Sequence, residues 1–144
     1  EDQSKISQSF QILVTKEYLY RLLFKKSMNY LAPTSTDHLL TEAEKENLYL
    51  KLIEQLNKDF NFANEPIDVP LSTSPNELKI QLHEKVYRLI QYKFAEYLNL
   101  LYIIDVSETE VKKLDGSDLS QLSGEVAFLI LKREWQKVWF RNKL

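Results

Sequence analysis

No cysteine occurs in the 144 residues, which excludes disulfides, zinc ribbons and thiol nucleophiles outright. The absence suits a reducing compartment, and a cytoplasmic setting is expected. Only two glycines are present, and no Asn-Gly or Gly-Gly pair. Turns that need positive φ are therefore expected to be few, which favours long helices over hairpins. Long hydrophobic runs are missing too: the longest, Val126 to Leu131, falls far short of the roughly 20 residues that cross a bilayer. No membrane span is expected.

Histidine is also scarce. His38 and His83 are the only two, and His83-Glu84-Lys85-Val86-Tyr87 begins like the zinc-protease motif but has tyrosine where the second ligand must stand. The Glu-x-x-His signature of di-iron bundles is absent. So are Gly-rich phosphate loops, Gly-x-Ser-x-Gly elbows and nucleotide fingerprints. No catalytic set, metal or cofactor is assigned. The chain starts at Glu1 with no methionine and no recognisable leader, so an upstream segment is expected to be missing.

What is present describes a globular chain. Hydrophobic residues make up 44% and charged residues 28%, close to the globular average, and 144 residues suffice for one domain with a real core. The net charge of −2 conceals a division. Residues 37–68 carry eight acidic and three basic side chains, whereas residues 132–144 carry five basic and one acidic.

Residues 4–31 place Tyr18, Leu19, Leu22 and Leu23 at helical spacing, although Phe10, Ile12 and Val14 also alternate as a strand would. Helix is favoured, because no second segment offers a lone strand its hydrogen bonds. A connector over 32–40 follows around Pro33. Thr41-Glu42-Ala43-Glu44 reads as a capping box opening a helix whose stripe is Leu48, Tyr49, Leu52, Ile53, Leu56 and Phe60. Residues 61–75 hold three of the four prolines and no glycine, the mark of an ordered linker lying against the surface. Ser74-Pro75-Asn76-Glu77 is a second capping box, and the stripe from Leu78 to Ile104 predicts one continuous helix. Ser107 caps a short helix that runs with its turn over 107–117. Ser117 or Asp118 caps a terminal helix reaching Asn142, unless Gly124 marks its true start. The expected fold is all-α: a single-domain bundle over 1–144, with four main helices and one short one, mostly antiparallel.

The closing stretch Lys137-Val138-Trp139-Phe140-Arg141-Asn142-Lys143 resembles the DNA-reading helix of homeodomains. There the tryptophan and phenylalanine pack inward and the asparagine reads an adenine. Helical period opposes that use here. At about 100° per residue, Ala127, Phe128, Leu131, Trp135, Val138 and Trp139 share one face, which turns Val138 inward and Phe140 away from the core. The turn that the family needs just upstream is replaced by the apolar run "VAFLILKREW". The chain is not read as a homeodomain.

Three groups of residues remain. Arg133, Lys137 and Arg141 recur every four positions as a basic face that could meet phosphates, or simply be solvated. Lys93 falls on the apolar face of the third helix, where a desolvated amine could act as base or nucleophile, or pair with Asp59 or Glu17. The aromatic residues are many: eight tyrosines, seven phenylalanines and two tryptophans. Tyr92, Phe94 and Phe140 lie off or at the margins of the stripes and are the candidates for a partner surface. The expectation is a non-enzymatic helical module that binds a protein partner or itself through aromatic-rich helix faces. The alternative is a nucleic-acid or other polyanion binder using the basic face.

Overall fold

The computed structural model of the protein describes Lys16, Leu19 and residues 30–143. The expected first helix, with its strand alternative at 9–14, lies outside the described residues, as do Glu17, Tyr20 and Phe24. The chain divides into two compact units, one of Glu1–Leu31 with Phe140–Leu144 and one of Ala32–Trp139. The described residues are all-helical, with no strand, and form six helices. These are α1 (Thr36–Lys45), α2 (Tyr49–Phe62), α3 (Pro75–Tyr92), α4 (Phe94–Ile104), α5 (Glu108–Lys112) and α6 (Leu119–Lys143).

Two long stripes expected from the sequence are each interrupted. The first helix of the larger unit begins at Thr36, inside the segment read as connector, and its cap is Ser35, whose hydroxyl accepts from the His38 amide at 3.1 Å. Thr41 therefore sits inside α1, where its hydroxyl donates to the Asp37 carbonyl at 2.8 Å instead of opening a helix. The expected capping box at 41–44 is not used. Starting earlier puts Leu39, Leu40 and Ala43 on a buried face, and that burial decides between the two starts.

The second interruption is at Lys93, whose backbone (φ −139°, ψ 59°) leaves the helical region between α3 and α4. Hydrogen bonds continue on both sides of it, Lys93 N–H to Leu89 O and Tyr97 N–H to Lys93 O, both 2.9 Å. The stripe thus stays helical in pattern while its axis is broken. One residue out of the helical region is enough to do this, and hydrophobic spacing cannot register it.

Scarcity of glycine does not prevent left-handed turns. Asn47 (φ 57°), Asn64 (φ 58°) and Asp105 (φ 69°) follow the ends of α1, α2 and α4, and neither glycine has positive φ. Each of the three closes a Schellman motif. Leu48, Glu65 and Val106 donate to the carbonyls of Ala43, Phe60 and Leu101, while Asn47, Asn64 and Asp105 donate to Glu44, Asn61 and Tyr102. Asparagine and aspartate tolerate this conformation better than other L residues. Asn64→Ala is expected to cost about 1 kcal/mol and Asn64→Gly to be neutral or better. Equal urea midpoints for the two variants would contradict the left-handed assignment.

The Pro-rich segment between α2 and α3 is strapped down. Asn57 clamps Val69 through both backbone groups at 2.9 Å, Gln81 donates to Ile67 O at 2.9 Å, and the Tyr49 hydroxyl donates to Thr73 O at 2.7 Å. Ala63, Ile67 and Val69 are buried beneath it. Burial, aided by the carboxylates of Glu44 and Glu77, pushes the Tyr49 phenol up to about 12, so it remains a donor throughout the physiological range. The capping box at Ser74 closes in both directions, with Pro75 at the first turn of α3.

Asp118 accepts from the Gln121 amide at 3.0 Å at the start of α6, and the helix runs unbroken through Gly124. A Cβ added at Gly124 would meet His83 Cε1 at 3.9 Å, an ordinary contact. Gly124→Ala is therefore expected to stabilise the protein by about 0.5–1 kcal/mol, read as a higher urea midpoint at unchanged slope. Trp135, Val138 and Trp139 are buried as their spacing predicts, but so are Val126, Leu129, Ile130 and Glu134. This helix packs on more than one side.

Candidate functional site

The outward half of α4 is the feature that composition alone leaves unexplained. Helical geometry turns Tyr97, Leu100, Leu101 and Ile104 inward, where all four are buried against α2 and α3. The opposite half carries Phe94, Ala95, Leu98, Asn99 and Tyr102, all exposed, and Ile103, which is half-buried. Phe94 is 55% exposed, Leu98 50% and Tyr102 81%, and the preceding Tyr92 is 75% exposed. Glu96 is the only charged residue in the helix. Phe94, Leu98 and Tyr102 follow each other at four-residue intervals, one stripe along one face.

Of the three aromatic residues singled out from the sequence, Phe94 lies on this face of α4 and Tyr92 is exposed at the end of α3. Phe94 also packs its ring on Tyr97, with centroids 5.4 Å apart. Phe140 is half-buried in the smaller unit, where it packs on Tyr30 with centroids 5.1 Å apart. Leu98 and Tyr102 are not among the residues singled out from the sequence, although both lie off the stripe of Tyr97, Leu101 and Ile104 that was expected to form core. The signal that could have found them is that "FAEYLNLLYII" is apolar on every side, so one side has to lack cover within the helix's own layer.

Lys93 and Asp59 do not pair. Lys93 sits at the break between α3 and α4, with its ammonium bonded to Glu65, which also receives Lys85 at 3.1 Å. The bond from Lys93 holds the buried Glu65 carboxyl below its usual range, against the effect of burial, and Lys85 adds to it. The same bond raises the Lys93 pKa, the opposite of what a nucleophilic lysine requires. The break at Lys93 turns its side chain out of the apolar stripe, leaving it half exposed beside a carboxylate supplied by the linker.

Asp59 pairs instead with Lys137, at 2.9 Å, and Lys137 reaches Glu134 at 3.0 Å. Gln55 donates to Asp59 at 3.0 Å. Glu134 is fully enclosed, and no donor group reaches its Oε2. Burial, and hydrogen bonding with the Asp59 carboxylate, push Glu134 up to about 9, although Lys137 pulls the other way. Burial also raises Asp59, but bonds from Glu134, Lys137 and Gln55 outweigh it and leave Asp59 below its ordinary value. One proton held by two acids beside one ammonium makes a neutral, enclosed set. Glu134 has no surface, so it cannot touch a substrate unless helices part.

Two members of the basic face, Lys137 and Arg133, are engaged within the fold. Lys137 turns inward to acids, and each of the three guanidinium nitrogens of Arg133 donates within the fold, to Asp105 O, Gln136 Oε1 and Asp105 Oδ2 at 3.1, 2.9 and 3.0 Å. Arg141 is exposed in the smaller unit.

The chain matches no family model, no curated protein and no solved structure. Nor does chemistry gather elsewhere among the described residues. No group of three His, Asp or Glu side chains there could hold a metal ion, and none of the described helices is long and apolar enough to cross a membrane. A broad open depression of about 840 Å3 is bordered by Lys79, His83, Asp118 and Gln121. Its polar groups are already engaged. His83 Nε2 donates to Ser120 O at 2.9 Å, and Lys79 holds Asp37 at 2.9 Å.

Proposed function

We propose that this protein is a non-enzymatic interaction module whose docking surface is the outward half of α4 together with Tyr92. One observation supports the reading above the rest: Tyr92, Phe94, Leu98 and Tyr102 are exposed over eleven consecutive residues, with Glu96 and Lys93 as the only charges among them. Single exposed apolar side chains are common on any surface, whereas a contiguous apolar stripe on a helix marks a place where another surface docks. Aromatic anchors supply much of the energy of such contacts. The partner's contacting surface is apolar, since a charged one would be desolvated here without compensation. The polyanion alternative has less in its favour, because Lys137 and Arg133 are committed to carboxylates and carbonyls of their own fold.

The test is photocrosslinking. Benzoylphenylalanine placed at Leu98 is expected to capture protein, whereas the same group at the exposed Glu54 of α2 is not. Equal yields from the two positions would remove the reading.

A further inference from the structure

We infer that Asp115, in the turn between α5 and α6, is a site of covalent modification: its side chain closes on the Gly116 amide and converts the main chain to isoaspartate, at a rate restrained by Ser117. Asp115 is the only aspartate or asparagine in the chain that a glycine follows. The inference is independent of the docking surface on α4.

The chemistry needs only water. The Gly116 amide nitrogen attacks the Asp115 carboxyl carbon, a C–N bond forms, and the carboxyl hydroxyl leaves as water with the amide proton. The succinimide so formed then takes up one water at either of its carbonyls. Opening at the former main-chain carbonyl leaves Gly116 attached through the side chain of residue 115. Chain mass is unchanged, the main chain gains one atom, and a free α-carboxylate appears on the surface.

Access to the reacting atoms is open. Residues 115–118 are all exposed, and glycine has no Cβ to hold the carboxyl carbon away from its nitrogen. The turn itself does not require that glycine. Gly116 has no positive φ, and a Cβ added there would meet only Leu122 Cδ2, at 3.9 Å.

Restraint comes from Ser117. Its amide donates to Asp115 Oδ1 at 2.9 Å and its hydroxyl donates to Asp115 Oδ2 at 3.0 Å. Aspartate commonly closes on the residue two ahead in this way. Both bonds favour the ionised carboxylate and hold Asp115 below its ordinary range, the amide more than the hydroxyl. Only the neutral carboxyl can release its oxygen as water, so each bond lowers the reactive fraction. The pair also ties both oxygens to Ser117, which keeps the carboxyl from turning over the Gly116 nitrogen.

The test is prolonged incubation of the full chain in mildly acidic buffer, followed by peptide mapping that separates the β-linked peptide from its parent of equal mass. Isoaspartate is expected at residue 115, with Asp37 and Asp68 at background although both are exposed. Ser117→Ala should raise the yield about threefold or more, the worth of one hydrogen bond to a charged group. Ser117→Thr keeps the hydroxyl and should restore the natural yield. In urea, where the turn is lost, the three chains should react alike. Gly116→Ala should remove most of the product while circular dichroism stays unchanged. Yields at 115 no higher than at Asp37 and Asp68 would overturn the site. Equal yields from the folded natural chain and folded Ser117→Ala would overturn the restraint.

Discussion

Glu134→Gln is expected to stabilise the protein at pH 7 and to flatten a pH dependence that the natural chain should show. Glu134 is fully enclosed, with one carboxyl oxygen that no donor reaches, and its pKa rises from 4.5 to about 9. A raised carboxyl holds its proton in the folded state after the unfolded chain has released it. The stabilisation that this proton supplies is complete below about 4.5 and is lost progressively as pH rises to about 9, at up to about 1.4 kcal/mol per unit. Asp59 acts in a different window: its lowered pKa removes stability only as pH falls below its ordinary 3.8. Between pH 5 and 8 the slope therefore belongs to Glu134. Glutamine needs no proton to be neutral, and its carbonyl and amide can replace the bonds to Lys137 and Asp59. The variant should gain about 1–3 kcal/mol at pH 7, more at pH 8 and nearly nothing at pH 5. Urea unfolding at the three pH values measures this, and parallel curves for the two proteins would show that Glu134 is ionised in the fold.

Trp135→Ala should lower stability by about 3–5 kcal/mol, a large part of the roughly 5–15 kcal/mol that holds a typical domain. Trp135 is 2% exposed in the middle of α6, with Leu131 and Val138 buried on the same helix. A cavity of indole size inside a helix packed on several sides cannot close by small shifts. The melting temperature should fall by roughly 10 °C or more. In the intact protein, iodide should quench the two indoles poorly, since Trp139 is also buried. A loss near 1 kcal/mol, or strong quenching, would mean that α6 presents its tryptophans to water.

Much of the helical content was legible in the sequence for a local reason. Capping at Ser74 and Ser107, and the stripes Leu52–Ile53–Leu56–Phe60 and Leu78–Leu82–Val86–Leu89, depend on residues within a turn or two of each other. The two breaks were not legible. Hydrophobic period continues through Lys93, and only the backbone there leaves the helix. Likewise Thr41 looks like a cap until Ser35 is seen to cap first. The candidate surface was half legible. Tyr92 and Phe94 stood out as off-stripe aromatics, while Leu98 and Tyr102 were hidden inside an apolar run.

The sequence by itself determined that the described chain is helical, that no thiol chemistry exists in it, and that the tryptophans of the last helix turn inward. These follow from composition and from angles along one helix, which need no knowledge of neighbours. Only the tertiary structure decided which charges meet. Asp59 and Lys137 stand 78 positions apart, and Lys93 and Glu65 stand 28 apart. No local rule selects such partners, because the selection is made by how whole helices and the linker pack. The same holds for exposure: an apolar face is core or docking surface according to whether another element covers it, and on α4 none of the described elements does.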